Sequence, residues 1–166
     1  MKGLRLIIGK KYNRDYPLQE AMRQEHVTLQ NVEVSQIYDQ IKKYLQGLKL
    51  DIIHEEKIEN YWNIKAHKGT KGSVIIGNVR DVEVMISGKE GNYDLILRTG
   101  AWGKDIIVPT AIAGVLTAGV AVIPVAAVSG YRAHKFEKDF WHFIKNTLSE
   151  IGKGNAAMSD PVTVTH

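Results

Sequence analysis

The chain has 166 residues, 44% of them hydrophobic and 24% charged, a balance that supports one folded domain with its own core and excludes a disordered chain. It contains no cysteine, which excludes a disulfide framework and any thiolate metal site and fits a reducing compartment. The net charge of +4 favours an anionic partner, either a membrane surface or a nucleic acid, without choosing between them.

In chain order, residues 1–26 read as an N-terminal arm. Its apolar residues, Leu4, Leu6, Ile7 and Ile8, stop at Gly9 and are followed by two lysines, too short a run for the apolar stretch of a signal peptide. The stretch PLQEAMRQ then predicts a short helix, with Pro17 in the first turn and Leu18, Ala21 and Met22 at helical spacing. Residues 27–105 read as a sheet domain. Val27 and Leu29 alternate, as do Val32 and Val34, and the change of parity across Gln30 and Asn31 predicts a strand with a bulge. Ser35 is placed to cap a helix carrying Ile37, Ile41, Leu45 and Leu48 on one side and stopping near Gly47.

Four strands follow: LKLDIIHEEKI, then NYWNIKAHK, a long SVIIGNVRDVEVMIS, and NYDLILRTG, the last two joined by GKEGN, whose glycines suit a hairpin. The expected class is therefore α+β, with an antiparallel sheet of about five strands, one helix on its N-terminal side and a long helix near the C-terminus. That long helix, residues 132–152, sets Phe136, Phe140, Phe143, Ile144, Leu148 and Ile151 at spacings of three and four, and Gly152 stops it. The periods place Ile37, Ile41, Leu45, Trp62, Ile64, Val82, Val84, Leu95 and Leu97 in the core. Residues 153–166 are small and polar and predict a mobile tail.

This order of strand, helix, antiparallel strands and long closing helix resembles the small helix-grip domains (SRPBCC or Bet v 1-like). The resemblance covers Val27 to Ile151 and rests on element order. It implies a curved sheet around the last helix and an apolar ligand, such as a lipid, between the two. The chain lacks the second short helix of that pattern and carries an insert before the closing helix.

The insert, residues 106–131, carries no charge and is long enough to cross the hydrocarbon core of a bilayer. Val108, Ile112, Leu116 and Ile123 supply bulk, while Gly119 and other small residues dilute it and Pro124 interrupts it. Gly114 and Ala118 form a small-xxx-small pair through which membrane helices, and so two copies of the chain, can associate. Trp102 and Lys104 on one side, and Tyr131, Arg132 and Trp141 on the other, are spaced as interfacial anchors. The same residues could instead form a buried Ala/Gly-rich helix. A pore-forming strand pair is excluded, because both parities of the segment are apolar. If the segment inserts, two arrangements remain: one full span followed by a helix lying in the interface, or a shallow re-entrant hairpin around Pro109 and Pro124.

Signals for chemistry are sparse. HKGTKGS and RTGAWGKD fail the phosphate-loop pattern and read as turns. His134 and His142 stand two helical turns apart on a face with Glu137 and Lys138, too far for shared metal ligation. Neighbours in a strand, His54, Glu55 and Glu56 point to alternate faces, against an acid–base pair. Lys65, Lys68 and Lys71 near Tyr61 and Trp62 sketch a basic surface with aromatics, but a nucleic-acid role is not favoured. No catalytic, cofactor or metal residues are assigned. The expectation is a non-enzymatic, membrane-associated binding or assembly module whose partner is membrane lipid, with its sheet domain on the cytoplasmic side. The alternatives are a helix-grip protein holding an apolar ligand and a basic nucleic-acid-binding domain.

Overall fold

The computed structural model describes residues 22–69, 79–100, 131–152 and 154–163. Strand β1 (Met22–Gln30) is followed by helix α1 (Val34–Gly47), then strands β2 (Leu50–Ile58), β3 (Tyr61–Lys68), β4 (Asp81–Lys89) and β5 (Asn92–Gly100). Helix α2 (Tyr131–Ile151) and two short strands, β6 (Ala157–Met158) and β7 (Val162–Thr163), follow as the last elements among the described residues. All pairings are antiparallel, in the order β2-β3-β4-β5-β1-β6, with β7 also on β1. The class is α+β as expected, with seven strands in place of about five.

The two extra strands come from the tail. In place of a mobile segment, residues 157–163 run along the outer edge of β1, where Leu29 faces Met158 and His26 faces Val162. Between these pairs the Ser159 amide donates to the Thr28 carbonyl at 3.0 Å, and the Thr28 amide donates to Ser159 Oγ at 2.9 Å. The arm thus satisfies an edge that would otherwise present unpaired backbone groups. The opposite edge, β2, is protected differently: it carries His54, Glu55, Glu56 and Lys57 and an irregularity of register between Ile52 and His54.

The N-terminal side also departs from expectation. Met22 to Gln24 lie in β1 instead of a helix, and the rest of that predicted helix falls outside the described residues. The parity change after Gln30 is the end of the strand, not a bulge: Asn31 takes a left-handed conformation (φ 56°) and Val34 already opens α1. Glu33, not Ser35, occupies the N-cap position, and Ser35 Oγ donates to Glu33 Oε1 at 2.8 Å. Of the long strand predicted over 73–87, β4 begins only at Asp81, and residues 70–78 lie outside the described set.

One face of the sheet is apolar and both helices cover it. Val27 and Leu29 from β1, Ile64 and Ala66 from β3, Val82, Val84 and Ile86 from β4, and Leu95 and Leu97 from β5 meet Ile37, Ile41 and Leu45 of α1 and Phe136, Phe140, Ile144 and Leu148 of α2. Tyr44 joins the helices, stacking on Phe143 with ring centroids 4.2 Å apart. Trp62 shares this face but is only half-buried, its ring edge-on to Tyr93. Two glycines are fixed by close approach. A Cβ at Gly88, in the β4–β5 hairpin, would lie 2.3 Å from the Asn92 carbonyl oxygen, and one at Gly152 would lie 2.2 Å from Ala156 Cβ where the chain leaves α2 for the arm.

Phe140 of α2 and Ile41 of α1 are fully buried in the same core. Phe140→Ala is expected to cost about 3–5 kcal/mol and Ile41→Ala about 2–5 kcal/mol in urea unfolding. Ile58→Ala, at a 55% exposed edge position, is expected to stay within about 0.5 kcal/mol of the parent. Equal losses at all three positions would contradict this placement of the core.

Candidate functional site

The two ends of the sheet are built differently. At one, the chain turns tightly: β2 meets β3 across Glu59 and Asn60, β4 meets β5 across Glu90 and Gly91, and β1 reaches α1 through Asn31 to Glu33. At the other, the register sets Met22, Gly100, Asp81 and His67 side by side. Residues 70–78 and 101–130 and the approach to β1 therefore all join the sheet at this second end. Helix α2 runs antiparallel to β5, since Glu137 in its first half meets Thr99 and its C-terminal Gly152 lies near the far end.

Strand alternation places two buried charge clusters at this end, back to back on opposite faces. On the face away from the helices, Lys65, Glu83, Arg98 and Gln24 occupy directly opposed positions on β3, β4, β5 and β1. Arg98 is fully buried and donates from Nε to Gln24 Oε1 at 2.9 Å and from an Nη to Glu83 Oε2 at 3.1 Å. The other oxygen of Glu83 accepts from Asn63 Nδ2 at 2.9 Å and lies 3.4 Å from Lys65 Nζ. Asn63 also donates to the Tyr61 hydroxyl at 2.8 Å, and His67 Nδ1 sits 2.5 Å from Asp81 Oδ1. Burial on this scale is tolerated because each charge meets opposite charge and hydrogen-bond partners.

The second cluster lies on the helix-covered face. The Arg23 guanidinium stands between two carboxylates, 2.8 Å from Glu25 Oε1 and 2.8 Å from Glu137 Oε2. Thr99 Oγ1 donates to Glu137 Oε1 at 2.8 Å, Trp141 Nε1 donates to Glu25 Oε2, and Arg23 Nη2 donates to Thr163 Oγ1 at 3.0 Å. The group ties β1, β5, α2 and the arm together. One cation between two buried carboxylates leaves an excess negative charge. Burial, with the neighbouring Glu25 carboxylate adding to it, pushes the Glu137 carboxyl up to about 7. Both carboxyls are shielded from solvent, so the pair acts as a clamp on α2 rather than as acid–base chemistry on a bound molecule.

Several expected site residues fall elsewhere. Trp102, Lys104, Val108, Ile112, Gly114, Leu116, Ala118, Gly119, Ile123 and Pro124 lie outside the described residues. Tyr131 and Arg132 form the first turn of α2. Trp141, expected at a membrane interface, is buried against Phe140 and bonded to Glu25. The basic and aromatic surface drawn for nucleic acid is taken apart by the fold: Lys65 pairs with Glu83, while Tyr61 and Trp62 lie on opposite faces and Tyr61 is buried. Glu55 accepts from Tyr38 at 3.1 Å and holds Lys42 at 2.7 Å, and that lysine lowers its carboxyl; it anchors α1 to β2.

Arg98, Glu83 and Arg23 escape the pattern, since charges alternating with apolar residues in a strand read as a wet face, and Glu137 reads only as part of the helix face it shares with His134, Lys138 and His142. The one available signal was their density near the strand ends that flank residues 70–78 and 101–130. No protein-family model matches the chain, and comparison with curated proteins finds no match.

Two predictions follow from the clusters. Arg98→Met strands Gln24 and one oxygen of Glu83, and is expected to cost about 3–5 kcal/mol in urea unfolding; a loss under about 1 kcal/mol would show that the charge row contributes nothing. Because the Glu137 carboxyl is raised in the folded state, the fold binds a proton there that the unfolded chain has already released. Stability from this group is present below the ordinary carboxylate range and is lost as pH rises through about 7. Glu137→Gln keeps the Thr99 contact and removes the titration. The melting temperature of the parent should fall between pH 5 and pH 8 by more than that of the variant, by the equivalent of up to about 3 kcal/mol.

Proposed function

We propose that this chain is a non-enzymatic, membrane-associated binding or assembly module, its sheet domain seated on the anionic cytoplasmic surface by the end that bears residues 101–130. The observation that carries the proposal is that the connection from Gly100 to α2, which contains the uncharged residues 106–130, starts and finishes at the same end of the sheet and is flanked by basic residues. Lys49, Lys68, Arg80 and Lys135 are exposed or half-exposed there, beside the exposed acids Asp51 and Asp139, the latter paired with Lys135. The flanking sequence adds Lys71, Lys104 and Arg132 against Asp105, and residues 1–21 carry Lys2, Arg5, Lys10, Lys11 and Arg14 against Asp15 and Glu20. Each such cation near an anionic leaflet contributes about 1 kcal/mol of attraction.

Within this proposal the fold restricts the manner of insertion. A single crossing followed by an interfacial helix is ruled out, because α2 lies on the same sheet that precedes the segment and buries Phe136, Phe140, Ile144 and Leu148 against it. Two helical crossings need roughly 40 apolar residues, more than residues 101–130 supply. Among the described residues no helix is long and apolar enough to cross a membrane. A shallow, re-entrant insertion is the form that the connectivity allows. The apolar-ligand alternative of a helix-grip protein places its ligand between sheet and helix, where Phe140, Ile144, Leu95 and Leu97 already pack together; a ligand there has to displace them.

Flotation with vesicles tests the proposal. The full chain is expected to rise with vesicles containing anionic lipid, and much less with neutral ones, while a variant in which a short Gly/Ser linker replaces Val108 to Gly130 stays folded and remains at the bottom. A folded full chain that ignores both vesicle types overturns the proposal. An unfolded deletion variant does so too, since the segment is then part of the core. Should copies pair through Gly114 and Ala118 in lipid, Gly114→Leu will abolish the crosslinked dimer without lowering the melting temperature.

A further inference from the structure

Apart from the clamp and the end that bears residues 101–130, a cleft of about 500 Å³ opens between α2 and the C-terminal arm. Its walls are fixed from both sides. The arm is held to β1 by strand pairing and by the Ser159 and Thr163 hydrogen bonds, and α2 is held to β1 through Glu25 and Glu137. A cleft between two anchored elements is largely pre-formed, and this one falls within the size range of small-molecule sites.

The lining is amphipathic. Trp141, Leu148, Met158 and Pro161 contribute apolar surface, whereas Lys138, His142 and Lys145 follow one another along the exposed side of α2 at helical spacing. Neither lysine makes an ion pair among the described residues, whereas Lys135, one turn before Lys138 on the same helix, is held by Asp139. Asp160, the one acidic residue of the lining, is outnumbered by them. This site is separate from the space between sheet and helix, since it lies on the outer flank of α2.

We infer that the cleft between α2 and the C-terminal arm binds a small free amphiphile with an apolar chain and a single carboxylate, the chain along Trp141, Leu148 and Met158 and the carboxylate between Lys138 and Lys145. Two unpartnered cations beside an apolar wall match the two halves of such a molecule. A neutral analogue forfeits the charge contact, and a cationic one meets repulsion.

Calorimetric titration of the full chain with decanoate, decanol and decyltrimethylammonium tests this. Decanoate is expected to bind saturably at one site, with the other two at least about tenfold weaker. Lys138→Glu/Lys145→Glu, two exposed positions, should weaken decanoate by at least about tenfold and erase its advantage over decanol while leaving the melting temperature unchanged. Ser149→Trp, also exposed on α2 and lining the cleft, should block all binding by filling it. Equal affinity for decanol and decanoate, no saturable binding, or unchanged affinity in both variants overturns the inference. Neither variant alters residues 106–131 or the basic end of the sheet other than through the α2 flank, so vesicle flotation of the same proteins separates failure of this site from failure of the membrane proposal.

Discussion

Helix α2 has to lie on the sheet, and most of the architecture is a consequence. The apolar face formed by β1, β3, β4 and β5 is broad, and α1 reaches mainly its β2 and β3 side. Left bare, the β5 and β1 side would expose Leu97, Leu95, Val27 and Leu29 to water, at about 25 cal/mol for each Å² of apolar surface. The Phe136, Phe140, Ile144 and Leu148 stripe closes that gap, and Phe140 at its centre has no exposed surface at all. Since α2 cannot leave the sheet, the chain between Gly100 and Tyr131 must start and finish on one side of any membrane it meets. A packing requirement in the core thereby restricts what a distant apolar segment can do.

The same requirement accounts for the buried charges. A helix docked by apolar contacts alone can slide along its ridges, whereas the Arg23, Glu25, Glu137, Thr99 and Trp141 group fixes its register where it meets the sheet. The cost is a carboxyl that prefers its proton near neutrality. On the reverse face the Lys65, Glu83, Arg98 and Gln24 row locks four strands in register at the end where the connections are long and cannot do so. At the opposite end the tight hairpins serve that purpose.

The arm shows how a sequence without pattern acquires a role. Ala157, Met158, Val162 and Thr163 have neither the length nor the alternation of a strand, and they pair only because β1 presents an open edge at the right distance after Gly152 ends α2. In doing so they wall off one flank of α2 and create a cleft that neither element forms alone.

Local periodicity in the sequence was enough to locate α1, α2, β2, β3 and β5 and the core positions Ile37, Ile41, Leu45, Ile64, Val82, Val84, Leu95 and Leu97, because burial on one face imposes a repeat that any isolated segment displays. It misjudged Met22 to Gln24, where three residues fit a helix as readily as a strand, and Trp62 and Trp141, whose rings serve core and surface equally well in a pattern. Which charges meet lay beyond it. Glu83 and Arg98 are 15 residues apart, and Glu25 and Trp141 are 116 apart; their neighbourhood exists only once strand register and helix docking are set. Alternation tells which face a residue occupies, but only tertiary structure decides whether that face is wet, and so whether a charge on it is solvated or must find a partner.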